Sequence, residues 1–266
     1  EAQRLLKELD TSANAGAQFV YSKPGNQPQG PVTCFRKAVL PAFLKGRNFI
    51  PNVEIPGLPF YPETSEPDAV PSDALKLRRD LAASLQLPDP DEALRMKKKL
   101  VYLKRLRRRA FDEASEAAFE KMIRAVGTEH HFEVHTIIFD GLPFAEQVKS
   151  VQNAAIAIGI HGANLVNTMF MPPSACLVEI FPFGFDHELY SHGLGSGLQY
   201  KRFELTTGID YPDLKKYPNR RECMNKDGSC KMYYRADNKH LSTSNNDIEG
   251  LKMTLLEAIS AVSFYI

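Results

Sequence analysis

Along residues 97–205 the apolar positions alternate between two spacings. Short apolar or alternating runs occur at Lys99–Leu103, Phe132–Phe139, Ala155–Ile160, Ala175–Ile180 and Tyr200–Leu205, and each predicts a strand. Between them lie stretches of helical spacing. Phe111–Val126 places Phe119, Met122, Ile123 and Val126 on one face, and Pro143–Ala154 is a second helix. Leu165–Met171 is a third, stopped by Pro172-Pro173, and Asp186–Gly195 with Tyr190 is a fourth. Asp247–Phe264 closes the chain as a helix, whereas Asp210–Lys239 reads as irregular. Strands alternating with helices predict an α/β, Rossmann-like parallel sheet.

The first ninety residues are different. A short helix (Ala2–Leu9) and one strand (Val32–Leu40) precede residues 41–73, which hold seven prolines and little periodicity. Ser72–Leu85 is an amphipathic helix, and Leu87–Glu92 (LPDPDE) reads as a linker. We therefore expect residues 1–90 to be part of an N-terminal domain. Residues 91–245 would form a C-terminal Rossmann-like domain and 246–266 a closing C-terminal helix. With so few strands, the first part reads as the end of a domain whose beginning is missing.

Composition narrows the class. The 266 residues are 43% hydrophobic and 24% charged with net charge +1, as in an ordinary globular protein and unlike a bulk polyanion binder. The chain starts at Glu1, which reads as a processed product or a fragment. Cys223 and Cys230 flank the turn-rich MNKDGS, a setting for a small-loop disulfide or for two free thiols. No cysteine or histidine spacing suggests a zinc site. The one D-x-D match, Asp89-Pro90-Asp91, lies in the linker, so we expect no metal.

Two segments carry the chemistry. Ala154–Pro182 (AAIAIGIHGANLVNTMFMPPSACLVEIFP) reads as strand, small-residue turn, helix, break and second strand. His161, Gly162, Ala163 and Asn164 form the turn, and Glu179 lies near the end of the second strand. Ligands of open α/β sheets bind at the carboxyl ends of strands, and anions sit on helix N-termini. Lys97–Arg109 has eight basic residues in thirteen, with the apolar LVYL inside it. That strand carries Lys104–Arg109 to the carboxyl edge, where a phosphate would lie. A solvated face or a nucleic-acid patch is the competing reading.

The GIHGANLVNTMFMPPSACLVEIFP segment resembles the signature of glycosyltransferase family 61, through Gly159, His161, Gly162, Ala163, Leu165, Asn167, Phe170, Pro172, Glu179 and Pro182. Asn164 stands where the family more often has glycine. The resemblance extends to Glu146-Gln147-Val148 and, more thinly, to Cys34, Phe35, Arg36, Ala38 and Val39. It also covers Arg105 followed by Arg108-Arg109, with Asp112-Glu113 in place of the family's Asn-Glu.

The resemblance implies a GT-B fold, two Rossmann-like domains facing a cleft, the N-terminal one incomplete here. It implies inverting transfer of GlcNAc, xylose or arabinose from a UDP-sugar to a glycan or glycoprotein hydroxyl. The setting would be the secretory-pathway lumen (Golgi or endoplasmic reticulum), with a membrane anchor allowed upstream of residue 1. That setting favours the Cys223–Cys230 disulfide.

Arg105, Arg108 and Arg109 would offset the diphosphate charge together with the helix N-terminus at Gly162, Ala163 and Asn164, so no cofactor is needed beyond the donor. His161 would donate to the phosphate or a sugar hydroxyl, or else cap the turn. Glu179 would accept from ribose hydroxyls or form an ion pair, and Asn167 is either a ligand contact or a structural tie. The general base on the acceptor hydroxyl would come from Glu54, Glu63, Glu66 or Asp68. Two alternatives are a nucleotide-sugar-binding module without catalysis and a nucleic-acid-binding protein using Lys97–Arg109.

Overall fold

The structure is a computed structural model, and it describes residues 72–87, 97–185, 197–236 and 239–263. Its elements run α1 (Ser72–Ser84), β1 (Lys97–Lys104), α2 (Glu113–Glu129), β2 (Glu133–Ile138), α3 (Phe144–Val151) and β3 (Ala154–Ile160). A 3₁₀ helix (Ala163–Phe170) leads into β4 (Cys176–Phe181) and β5 (Gln199–Glu204). A 3₁₀ turn (Leu214–Lys216) precedes α4 (Arg220–Lys226), α5 (Gly228–Arg235) and α6 (Asn245–Val262). Several expectations fall outside the described residues: the Ala2–Leu9 helix, the Val32–Leu40 strand, the proline-rich stretch with Glu54, Glu63, Glu66 and Asp68, and the Asp186–Gly195 helix.

All five strands are parallel, in the order β2-β1-β3-β4-β5. Sequence and position in the sheet agree. The central β3 and β4 are buried at every residue and are uninterrupted apolar runs apart from Glu179. The edges β2 (EVHTII) and β5 (QYKRFE) mix polar and apolar positions and are half-exposed. α2 packs on β2, α6 packs on β3, β4, β5 and α2, and α3 packs on β3 and the 3₁₀ helix. Right-handed crossovers place α2 and α3 on opposite faces of such a sheet, which is why the middle strands tolerate nothing polar that is not satisfied.

Two predicted elements differ. The segment after the His161 turn is a 3₁₀ helix rather than an α-helix. Its burial has the matching three-residue period: Leu165, Thr168 and Met171 face the core, while Ala163 and Val166 face out. Residues 210–239 are not irregular but hold two short helices. Asn219 caps α4 by accepting from Glu222 N–H, and Asp227 caps α5 by accepting from Ser229 N–H. Cys223 and Cys230 are joined by a disulfide across the two helices, Cα atoms 6.0 Å apart. With Phe181, Phe185, Met224 and Tyr234 they form a second small core beside the end of β4.

Candidate active site at the carboxyl end of the sheet

The strand order reverses direction between β1 and β3. From β1 the chain moves outward to β2, then returns to β3 and continues the other way. At such a switch point the loops leaving neighbouring strands diverge and open a crevice at their carboxyl ends. Here those loops are Arg105–Asp112, after β1, and His161–Gly162, after β3.

The two loops are bonded to each other. Arg109 is buried, its φ of 60° lies in the left-handed region, and its Nη1 donates to the His161 carbonyl at 2.9 Å. Arg105 Nε donates to the Arg108 carbonyl at 2.8 Å, which folds the loop back on itself. Arg105 Nη1 lies so close to Gly162 that a Cβ there would meet it, with Arg109 Nη2 behind at 3.5 Å. The absent side chain at Gly162 is what lets a guanidinium approach the start of the 3₁₀ helix.

His161 is held on three sides. Its Nδ1 donates to Glu179 Oε1 at 2.6 Å, Phe181 stacks on the ring at 5.1 Å, and Phe185 lies tilted at 5.1 Å. Glu179 has no solvent exposure, and its other oxygen accepts from Tyr200 Oη at 2.6 Å. A carboxylate can only accept, so the Nδ1 of His161 carries a proton.

The basic run is divided rather than forming one face. Lys99 Nζ donates to the Ser150 carbonyl at 2.8 Å, and Lys104 lies 3.1 Å from both Glu116 and Glu120 of α2. Lys98, Arg107 and Arg108 are exposed. Only Arg105 and Arg109 reach the turn. Beside Arg105 opens a cavity of about 390 Å³, lined by Lys104, Arg105, Phe111, Glu113, Glu116 and His240 among others. A cavity of about 370 Å³ at the amino end of the sheet, around Lys98, His130 and His131, lies far from this chemistry.

Three expected site residues stand differently in the structure. Glu179 is enclosed behind His161, with one oxygen on the His161 ring and the other on the Tyr200 hydroxyl. Asn167 Nδ2 donates to Gln147 Oε1 at 2.8 Å, and Gln147 Nε2 donates to the Leu142 carbonyl at 2.8 Å. That chain ties the 3₁₀ helix to α3 and makes Asn167 a structural residue. Arg108 contributes its carbonyl to Arg105 rather than a guanidinium to the turn. Ala163 is exposed and Asn164 half-exposed at the mouth of the site. Tyr200 was not anticipated. It pairs with Leu177, two residues before Glu179, and only the β4–β5 register brings it to that carboxylate. Among the described residues, no group of three or more His, Cys, Asp or Glu is placed to hold a metal.

Comparison with known proteins bears on the family. Protein O-linked-mannose beta-1,4-N-acetylglucosaminyltransferase 2 of Xenopus tropicalis is 30% identical over 106 residues, 38% of this chain and 18% of that protein. The Xenopus laevis protein of the same name is 31% identical over 102 residues, 35% of this chain and 18% of its own length. The Homo sapiens protein is 30% identical over 90 residues, 34% of this chain and 14% of its own length. The matched stretch thus spans less than a fifth of each relative. The family model described as Glycosyltransferase 61 matches residues 36–178, more than half of the chain, including Arg105–Arg109 and the His161 turn. The chain belongs to glycosyltransferase family 61.

Proposed function

We propose that this chain carries the donor-binding half of a glycosyltransferase that moves a sugar from a UDP-sugar to a glycan or glycoprotein hydroxyl with inversion. The observation that carries the reading is the bond from Arg109 Nη1 to the His161 carbonyl, with Arg105 against Gly162. It gathers two guanidiniums and the His161 imidazole at one helix N-terminus, at the switch point of a parallel sheet. That is a site for a diphosphate.

Cleavage of a sugar–diphosphate bond puts charge on the leaving oxygens. Fixed donors aimed at those oxygens stabilise the transition state more than the ground state. In this reading Arg105, Arg109, His161 Nε2 and the backbone N–H groups of Gly162 and Ala163 hold the diphosphate, and the cavity beside Arg105 takes another part of the donor. His161 thereby stands on the leaving-group side. Inversion requires the base on the opposite face of the sugar, so His161 is not that base. Glu54, Glu63, Glu66 and Asp68 remain the candidates for it. The fixed cations do the work that a divalent ion does elsewhere.

We read the whole fold as GT-B, with residues 91–245 on the donor side, and the setting as the secretory-pathway lumen, where the Cys223–Cys230 disulfide would persist. No helix among the described residues is long and apolar enough to cross a membrane. The inactive-module and donor-site readings both predict nucleotide binding, so turnover separates them.

The test is calorimetric titration with UDP, first in EDTA and then with Mn²⁺. We expect binding in EDTA that Arg105→Ala weakens by about tenfold, roughly 1.4 kcal/mol. Equal affinity in wild type and Arg105→Ala would remove the site assignment, and binding only with Mn²⁺ would remove the metal-free reading.

A further inference from the structure

The 3₁₀ helix that carries the proposed cradle has a defect at its far end. In a 3₁₀ helix each carbonyl accepts from the N–H three residues on, and the Thr168 carbonyl takes Met171 N–H at 2.9 Å. The next carbonyl, Met169, would need the N–H of residue 172, and the one after it the N–H of residue 173. Both are prolines and have none. The pair that ends the helix thus strips its last turn of backbone donors.

The missing donor comes from 91 residues earlier. Arg78, on α1, directs Nε to the Met169 carbonyl at 2.7 Å and is only 5% exposed. Leu81 and Ala82, on the same helix, are buried with it. Burial pulls the guanidinium down to about 10, which is still charged at neutral pH. A cation at a helix C-terminus meets the negative end of the backbone dipoles and caps the last carbonyls. A buried arginine without such a partner would be expensive, so the contact stabilises both sides.

We infer that Arg78 is a positioning residue for the donor site: it stands in for the N–H that Pro172 lacks, and so sets where the 3₁₀ helix presents Gly162 and Ala163. This rests on the donor-site reading above. Through Arg78, α1 governs nucleotide affinity without touching the nucleotide.

The experiment uses Arg78→Met and Arg78→Lys. Lysine keeps the charge but places a methylene where Nε stood. Calorimetric UDP affinity is measured well below the melting temperature of each variant, alongside amide hydrogen exchange over residues 163–171. We expect about a tenfold loss of UDP affinity in Arg78→Met, several-fold in Arg78→Lys, and faster exchange confined to that segment. A residue that merely adds stability would lower the melting temperature and leave the affinity of the folded protein unchanged. Wild-type affinity and exchange in a folded variant overturn the inference. If Arg78→Met does not fold, Arg78→Lys is read alone. Failure of the wild type to bind UDP would overturn the donor-site reading instead, and exchange at 163–171 would then decide the role of Arg78.

Discussion

Two carboxylates among the described residues have no solvent exposure, Glu179 and Asp247, and they are buried for different ends. Asp247 lies at the start of α6. Its oxygens accept from Thr206 N–H and hydroxyl, the Thr207 hydroxyl, and Ser244 N–H and hydroxyl. Ser244 returns the bond to Asp247 N–H, completing a capping box. Every donor there is a backbone amide or a hydroxyl, so the partners keep one charge state at any pH the fold survives. Glu179 has an imidazole and a phenol instead. Its principal partner is titratable, and the backbone carbonyl of that partner accepts from Arg109 in the turn that Arg105 also approaches at Gly162. A saturated carboxylate among neutral donors fastens the fold. A carboxylate spent on a histidine prepares that histidine for something else.

The contrast breaks most sharply at Asp247. Asp247→Ala strands several donors at once and should lower unfolding free energy by about 3 kcal/mol in urea titration, with UDP affinity unchanged in the folded protein. Asp247 also sets a pH window. Burial opposes its ionisation, but the bonds from Ser244, Thr207 and Thr206 outweigh it and hold the carboxyl at about 2, against an ordinary 3.8. A depressed folded value means the stabilisation is complete above 3.8 and disappears as pH falls through about 2. Melts from pH 5 to 2 should therefore show a loss, on the order of 2 kcal/mol, that Asp247→Asn lacks. A variant that parallels the wild type across that window would refute the assignment.

At Glu179 the expectation reverses. Glu179→Gln preserves shape but weakens the hydrogen bond that orients the His161 ring, so UDP affinity should fall about tenfold while stability changes little. Smallest is Tyr200→Phe, which deletes one bond to Glu179; about threefold in UDP affinity is expected, near 0.7 kcal/mol. A melting shift without an affinity shift in both variants would make Glu179 a second Asp247, and the comparison would collapse.

The residues also differ in how far the chain alone disclosed them. The strand–helix alternation was legible because β3 and β4 lie between covered faces and must be apolar throughout. His161 and Arg109 were legible as chemistry at the ends of such runs. Glu179 stayed open between an ion pair and a ribose contact, because its neighbours come from the turn after β3 and from β5, and register is a tertiary fact. Asn167 read equally as a ligand contact or a structural tie; the Gln147 side chain that it meets belongs to another part of the same family motifs. α4 and α5 escaped because helices of seven and eight residues offer barely two turns of periodicity. Asn219 and Asp227, their caps, were the signals available.

The 3₁₀ winding of Ala163–Phe170 has one more consequence, for length. Eight residues rise about 16 Å in this winding and about 12 Å as an α-helix, and each residue turns the chain by roughly a third of a circle. The span from the His161 turn to the Pro172 break is therefore a gauge. Adding or removing one residue would carry Leu165, Thr168 and Met171 off the core-facing edge together. Variation among proteins built this way should then accumulate in the loops on either side, with this segment held at constant length.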